Sequence, residues 1–193
     1  CWLLFVPIPE ETSGQLTSSW GATFCLLKDR TILLLFLGIV FVVGVDVGVN
    51  TVAPKLLLER CGFDIAEAGI GSRVYFAFRT IGAFVGTFLL ARASGSKYFR
   101  VNVLVAIAAL VVLFFVSGQY PILVLIALIG FTCSSIFSLL FSMAIQAQPR
   151  KANEISGLMV TGIFGGAVIP PLMGYCTDLI GTQVGSLVVI LGC

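Results

Sequence analysis

The sequence predicts an all-α membrane protein, a bundle of about six hydrophobic helices, and three observations lead there. Only 10% of the residues are charged while 59% are hydrophobic, and the mean hydropathy is +1.11. A water-soluble domain of 193 residues with so little polar surface could not cover itself. The apolar residues also fall in runs of about 20, the length that crosses roughly 30 Å of hydrocarbon at about 1.5 Å per residue. Finally, a backbone in lipid must satisfy its own hydrogen bonds. The runs are too long and too uniformly apolar for the alternating strands of a membrane barrel, which leaves helices.

Taken in order, the chain begins in the apolar stretch Cys1 to Pro9 and stops in another, Val184 to Cys193. Each is too short to span a bilayer, so the bundle reads as truncated through a helix at both ends. No basic residue precedes the first stretch, and Pro7-Ile8-Pro9-Glu10-Glu11 stands where a signal peptide would carry a small-residue cleavage site. Residues 10–30 are polar, with Gly14 and a Ser/Thr cluster, and read as a linker. Residues 31–193 read as the transmembrane bundle, its last helix incomplete. The candidate spans are Thr31 to Ala53, Gly71 to Ala91, Val101 to Val116, Ile122 to Gln146 and Ile155 to Tyr175. Turn chemistry separates them, in Cys61-Gly62-Phe63-Asp64, Ala93-Ser94-Gly95-Ser96, Ser117 to Pro121, and Gln148-Pro149-Arg150-Lys151.

Basic residues in short loops are retained on the cytoplasmic side. If each span crosses once, Lys28, Arg30, Arg92, Lys97, Arg100, Arg150 and Lys151, seven of the 11 Lys and Arg, share one side. The linker is therefore expected in the cytoplasm, with the turn at Gln119 and the loop at Asp178 facing outward. A net charge of +2 and the absence of any Lys/Arg run exclude a nucleic-acid partner. The six cysteines lack CxxC spacing and there is no histidine, so no metal site is expected. Cys61 and Cys176 fall in loops on the same side, where they form either a disulfide or two free thiols. Without His, G-x-S-x-G, a Walker motif or a carboxylate pair within a span, no catalytic residue or cofactor is expected, and the missing phosphate-binding glycines argue against an ATP-driven pump.

Asp46 and Arg79 carry the functional signal, because a charge near the bilayer centre costs at least about 2.5 to 3.5 kcal/mol unless it faces protein or water. On the predicted boundaries Asp46 lies roughly 10 Å from the outer end of its span and Arg79 roughly 12 Å from the same side, on consecutive helices. Two readings stand: a buried ion pair that fastens two helices, or a polar wall bordering an aqueous cavity and touching solute. Asn50 shares the face of Asp46 one turn on, with Gly44 and Gly48 nearly opposite, while Arg79 shares its face with Tyr75, Gly82 and Gly86.

Ser135, Ser138, Ser142 and Gln146 form one polar stripe, which faces either a hydrated path or a close helix contact. The following span carries Gly157, Thr161 and Gly165 at intervals of four, then Gly166 and the pair Pro170-Pro171. Such a helix packs closely and bends, and Gly165, Gly166, Pro170 and Pro171 mark either a hinge or gate or a static kink. Asn153 is the expected cap of that helix, with Glu154 in its first turn.

Several of these segments resemble the fucose:proton symporter branch of the major facilitator superfamily, particularly its sugar transporters. They are Val43-Gly44-Val45-Asp46-Val47-Gly48-Val49-Asn50-Thr51, Phe78-Arg79-Thr80-Ile81-Gly82-Ala83-Phe84-Val85-Gly86, Phe141-Ser142-Met143-Ala144-Ile145, and Gly162 through Gly174, the most specific of the four. They occur in the order expected for the family's carboxyl-terminal half and cover most of residues 30–180. The resemblance implies a six-helix bundle that is the second half of a twelve-helix transporter, with the solute site between two bundles at mid-membrane and alternating access by rocking. It further implies a sugar as solute, a proton as coupling ion, the amino-terminal half of the same protein as partner, and a multi-pass location in the cell inner membrane. The family's proton-coupling carboxylates lie in the first bundle, outside this sequence. The segment Ser134 to Phe141 lacks the proline and tyrosine some members carry there, and the superfamily's basic loop motif survives only as Arg92, Lys97 and Arg100.

The leading expectation is a proton-coupled sugar transporter in which Asp46, Asn50, Arg79, Ser135 and Ser138 supply hydrogen bonds to the solute. A transporter or exporter of another small solute has the same fold. A non-transporting sensor or scaffold is the alternative from another class.

Overall fold

The computed structural model describes residues 26–92 and 94–193. The expected helix end at 1–9, most of the expected linker, and Cys1 and Cys25 lie outside the described residues. Helix α1, Arg30–Cys61, starts on Asp29, whose carboxylate accepts from the Thr31 amide at 2.9 Å, and stops on Gly62 in the left-handed region (φ 67°). At 32 residues it is about 48 Å long, more than the hydrocarbon core requires. It therefore runs eight residues past the predicted end at Ala53, through Pro54. Proline has no N–H to give the Asn50 carbonyl, and Ser72 Oγ donates to that oxygen at 3.3 Å instead, so the helix continues.

A single turn α2, Ile65–Ala68, leads into α3, Ile70–Arg92, and α4, Gly95–Phe115. Gly95 and Ser96, expected in a turn, are the first residues of α4. Gly118, at φ 117°, makes the turn into α5, Gln119–Cys133, which is followed by α6, Ile136–Ala147. The sequence predicts α5 and α6 as one unbroken span. The break at Ser134 and Ser135 has a local cause: Thr132 and Ser134 hydroxyls donate back to the carbonyls of Leu128, Ile129 and Phe131, competing with the helical ladder. After a 3₁₀ turn at Pro149–Lys151 come α7, Ala152–Thr161, a second 3₁₀ turn at Gly162–Phe164, α8, Gly165–Ile180, and α9, Val184–Gly192. Asn153 is thus inside the first turn of α7 and not its cap, because the preceding 3₁₀ turn already starts the coil.

The helical stretches Arg30–Cys61, Gly95–Phe115, Gln119–Ala147 and Pro149–Ile180 are each long and apolar enough to cross a membrane. The outer surface is apolar to match, with Leu104, Phe115 and Val124 exposed at 65%, 84% and 66%. Such a surface is stable against acyl chains and not against water.

Two seams hold the bundle. In the first, α1 packs on α8 through glycines from both sides. Gly44 faces Ile169, Gly48 faces Met173, Gly162 faces Ile39, and Gly165 lies against the Val40 carbonyl with no room for a side chain. Gly157, in the same row of small residues as Gly165 and on a helix expected to pack closely, faces open space. The second seam joins α3 and α5. A methyl at Gly82 would fall 2.9 Å from Phe131 Cα, and one at Gly130 would fall 2.7 Å from the Tyr75 carbonyl.

Both ends of α1 are tied. Gln148 Nε2 donates to Asp29 Oδ2 at 2.7 Å, Glu59 Oε2 accepts from the Gln183 amide at 2.9 Å, and Arg60 gathers the carbonyls of Leu113, Phe114 and Val116 at the end of α4. Those carbonyls end a helix and have no partner within it. Cys61 and Cys176 are free thiols.

Candidate functional site

With α1 extended to Cys61, Asp46 falls at its middle, sixteen residues from Arg30 and fifteen from Cys61, and Arg79 falls near the middle of α3. Asp46 is therefore about 22 Å from the end of its helix, about twice the distance the predicted boundary gave. The two side chains meet: Arg79 Nη2 is 2.7 Å from Asp46 Oδ2. The other carboxylate oxygen accepts from the hydroxyl of Tyr75, which is fully buried one turn before Arg79. Tyr75 and Arg79 share a face because they are four residues apart, and the Gly130 seam lets α5 close over Tyr75. Each oxygen of the carboxylate thus has its own donor, the arrangement that makes a charge tolerable at mid-membrane.

The pair is not sealed. Asp46 keeps 16% of its side chain exposed and Arg79 39%. The guanidinium borders an open groove of about 430 Å³ lined also by Phe76, Thr80, Ala83, Phe84 and Thr87 of α3 and by Ser134. A second groove of about 300 Å³ continues from it, sharing Ala83, Thr87 and Ser134 and adding Gly86, Ser135, Ser138 and Ser142.

Of the residues singled out in the sequence, Asp46 and Arg79 are in contact, and Asn50 stands one turn from Asp46. The Asn50 backbone carbonyl is held by Ser72, while its side-chain Oδ1 is buried with no hydrogen-bond partner among the described residues. Ser135 is buried against Gly86, and Ser138 is exposed in the second groove, nearer the α6 end of it. Ser142 Oγ accepts from Gln146 Nε2 at 3.0 Å. Gly165 and Gly166 lie in the α1 seam, Gly166 against Val43 and Val47, away from the Arg79 groove. Pro170 and Pro171 stand inside α8, which runs on unbroken to Ile180; the departure from α-helical winding is at the 3₁₀ turn upstream.

Sequence reasoning passed over Tyr75 as a partner of Asp46 and missed Thr80, Thr87 and Ser134. Phe76, Thr80, Ala83 and Thr87 do recur at intervals of three and four, so the face was detectable as a hydroxyl-bearing stripe.

Helices long and apolar enough to span a membrane, an apolar outer surface and a charged pair beside a groove of hydroxyls define one bundle of a multi-pass membrane protein. Comparison with solved structures identifies the bundle. The chain superposes over 100% of its length on 48% of a major facilitator superfamily transporter in the outward conformation, with a TM-score of 0.86 at 21% identity. The fold is therefore the major facilitator fold.

Among sequences, the chain is 26% identical over 156 residues to a putative glucose/galactose transporter of Helicobacter pylori, covering 81% of this chain and 38% of that protein. It is 26% identical over 164 residues to the glucose/galactose transporter of Brucella abortus, covering 84% and 40%. It is 30% identical over 106 residues to the L-fucose-proton symporter of Escherichia coli, covering 52% and 23%. No protein-family model matches. The chain spans about two-fifths of the length of the curated glucose/galactose relatives it matches. The resemblance to the carboxyl-terminal half of fucose:proton symporter-like sugar transporters thus holds both in sequence and in fold.

Proposed function

We propose that this chain is the carboxyl-terminal bundle of a secondary active transporter that moves a sugar across the bacterial inner membrane by alternating access, coupled to protons. The observation that carries the reading is the Asp46–Arg79–Tyr75 cluster at mid-helix, opening on a groove of hydroxyl side chains. A neutral polyol needs a few fixed donors and acceptors in an otherwise apolar cleft. Arg79 and the groove hydroxyls offer donors and the hydroxyls also offer acceptors, whereas Asn50 Oδ1 is buried and lines neither groove. Ser135 and Ser138 extend the same wall. The solute would sit between this bundle and the amino-terminal half, with the 3₁₀ turn, Gly165, Gly166 and the two prolines as the place where α8 flexes. Proton coupling draws its support from the Escherichia coli relative, named an L-fucose-proton symporter.

The test is uptake of labelled glucose, galactose and fucose into vesicles bearing the full-length protein. Accumulation that collapses when the proton gradient is dissipated is expected. No proton-dependent accumulation of any sugar removes the reading. A second reading is favoured by the fully engaged carboxylate: the ion pair fastens α1 to α3 and leaves solute contact to the hydroxyls alone.

A further inference from the structure

Tyr98 stands in the first turn of α4, and its hydroxyl is buried without a hydrogen-bond partner among the described residues. The whole residue is only 8% exposed. A buried O–H left unmade destabilises the resting molecule, and phenylalanine would fill the same space without it. The position of the hydroxyl is informative. A methyl at Gly86 would fall 2.8 Å from Tyr98 Oη and closer still to Ser135 Oγ. Tyr98 Oη and Ser135 Oγ therefore both lie against residue 86 where a side chain would stand, an approach only glycine allows, and the two hydroxyls are not bonded to each other. Gly86 and Ser135 both line the second groove, in which Thr87, Ser134, Ser138 and Ser142 present further hydroxyls with no charged side chain among them. Gly86 is seven residues beyond Arg79 on α3, about 10 Å along the helix.

We infer that this groove is a second solute station, continuous with the Arg79 groove, which takes the hydroxyl groups of an uncharged polyol. Thr87, Ser138 and Ser142 are its open contacts. Tyr98 is a positioning residue: its hydroxyl turns Ser135 Oγ toward the solute, a bond made only when the station is occupied. The absence of charge in this stretch lets a solute held at Arg79 pass to weaker, interchangeable hydroxyl contacts. The ligand class rests on the sugar-transport reading; the existence of a hydrated, hydroxyl-lined groove does not.

The experiment has two arms, both in the full-length protein. In vesicles, Tyr98→Phe is expected to raise the KM for a transported hexose about 10-fold, the loss of roughly one hydrogen bond. The melting temperature should be unchanged or higher, and the difference from wild type should vanish for one deoxy analogue of that hexose. An unchanged KM for the hexose and every deoxy analogue means that the hydroxyl is idle and overturns its role. In the second arm, Ser142→Cys is probed with a charged, water-soluble thiol reagent against the native-cysteine background. Modification above background is expected whatever the solute. No modification from either membrane side overturns the groove itself, whereas modification together with failure of the wild type to accumulate any sugar condemns only the transport reading.

Discussion

The ion pair supplies the sharpest test, because its two members are unequally buried. Replacing Arg79 by Gln leaves a carboxylate that is 16% exposed with only the Tyr75 hydroxyl beside it. Breaking a fully buried pair by removing one partner costs about 3 to 5 kcal/mol; with this exposure we expect about 2 to 3. Replacing Asp46 by Asn orphans a guanidinium that is 39% exposed and can turn to the groove, so about 1 to 2 kcal/mol is expected. The double variant removes both charges and should lose no more than the Arg79→Gln variant, giving a coupling of at least about 1 to 2 kcal/mol. Unfolding of the full-length protein in detergent, with the four versions side by side, measures it. Additivity of the two single losses to within about 0.5 kcal/mol would refute the argument that the charges depend on one another. Uptake by the same four proteins then separates the roles. Fastening alone predicts that the double variant transports, whereas solute contact predicts that it folds and does not.

Three further outcomes follow from particular contacts. Gly165→Ala puts a methyl onto the Val40 backbone, which cannot swing aside, and should destabilise by about 1 to 3 kcal/mol, while Gly157→Ala, in open space on a helix, should stabilise by about 0.5 to 1 kcal/mol; thermal melting compares them. Arg60→Leu removes the donors to three carbonyls at the end of α4 and should lower stability by about 2 to 3 kcal/mol, with faster amide exchange confined to residues near Phe115. Asp29→Ala loses both the cap of α1 and the tie to Gln148, for about 1 to 2 kcal/mol, and should raise proteolysis at the loop around Pro149; unchanged cleavage would show the tie to be idle.

The order of the spans was legible because hydrocarbon-length apolar runs have few alternative structures. Asp46 and Arg79 were legible for the same reason: in a stretch where nearly every residue is apolar, a charge announces itself. The distance of Asp46 from the end of its helix was not. Pro54 reads as a stop, yet α1 passes through it because Ser72, a residue of the next helix, takes over the freed Asn50 carbonyl. The break at Ser134–Ser135 was hidden likewise, since hydroxyls in a spanning helix bond backward or across depending on what faces them.

By itself the sequence determined the solvent, the helical class, the order of the spans and the family resemblance, all properties of composition and local pattern along the chain. Only the tertiary structure decided that Asp46 divides its oxygens between Arg79 and Tyr75, that glycines 82 and 130 bring α3 and α5 into backbone contact, and that Tyr98 and Ser135 both lie against Gly86. Those facts depend on which faces meet across helices far apart in sequence, and periodicity along one helix carries no information about the register of another.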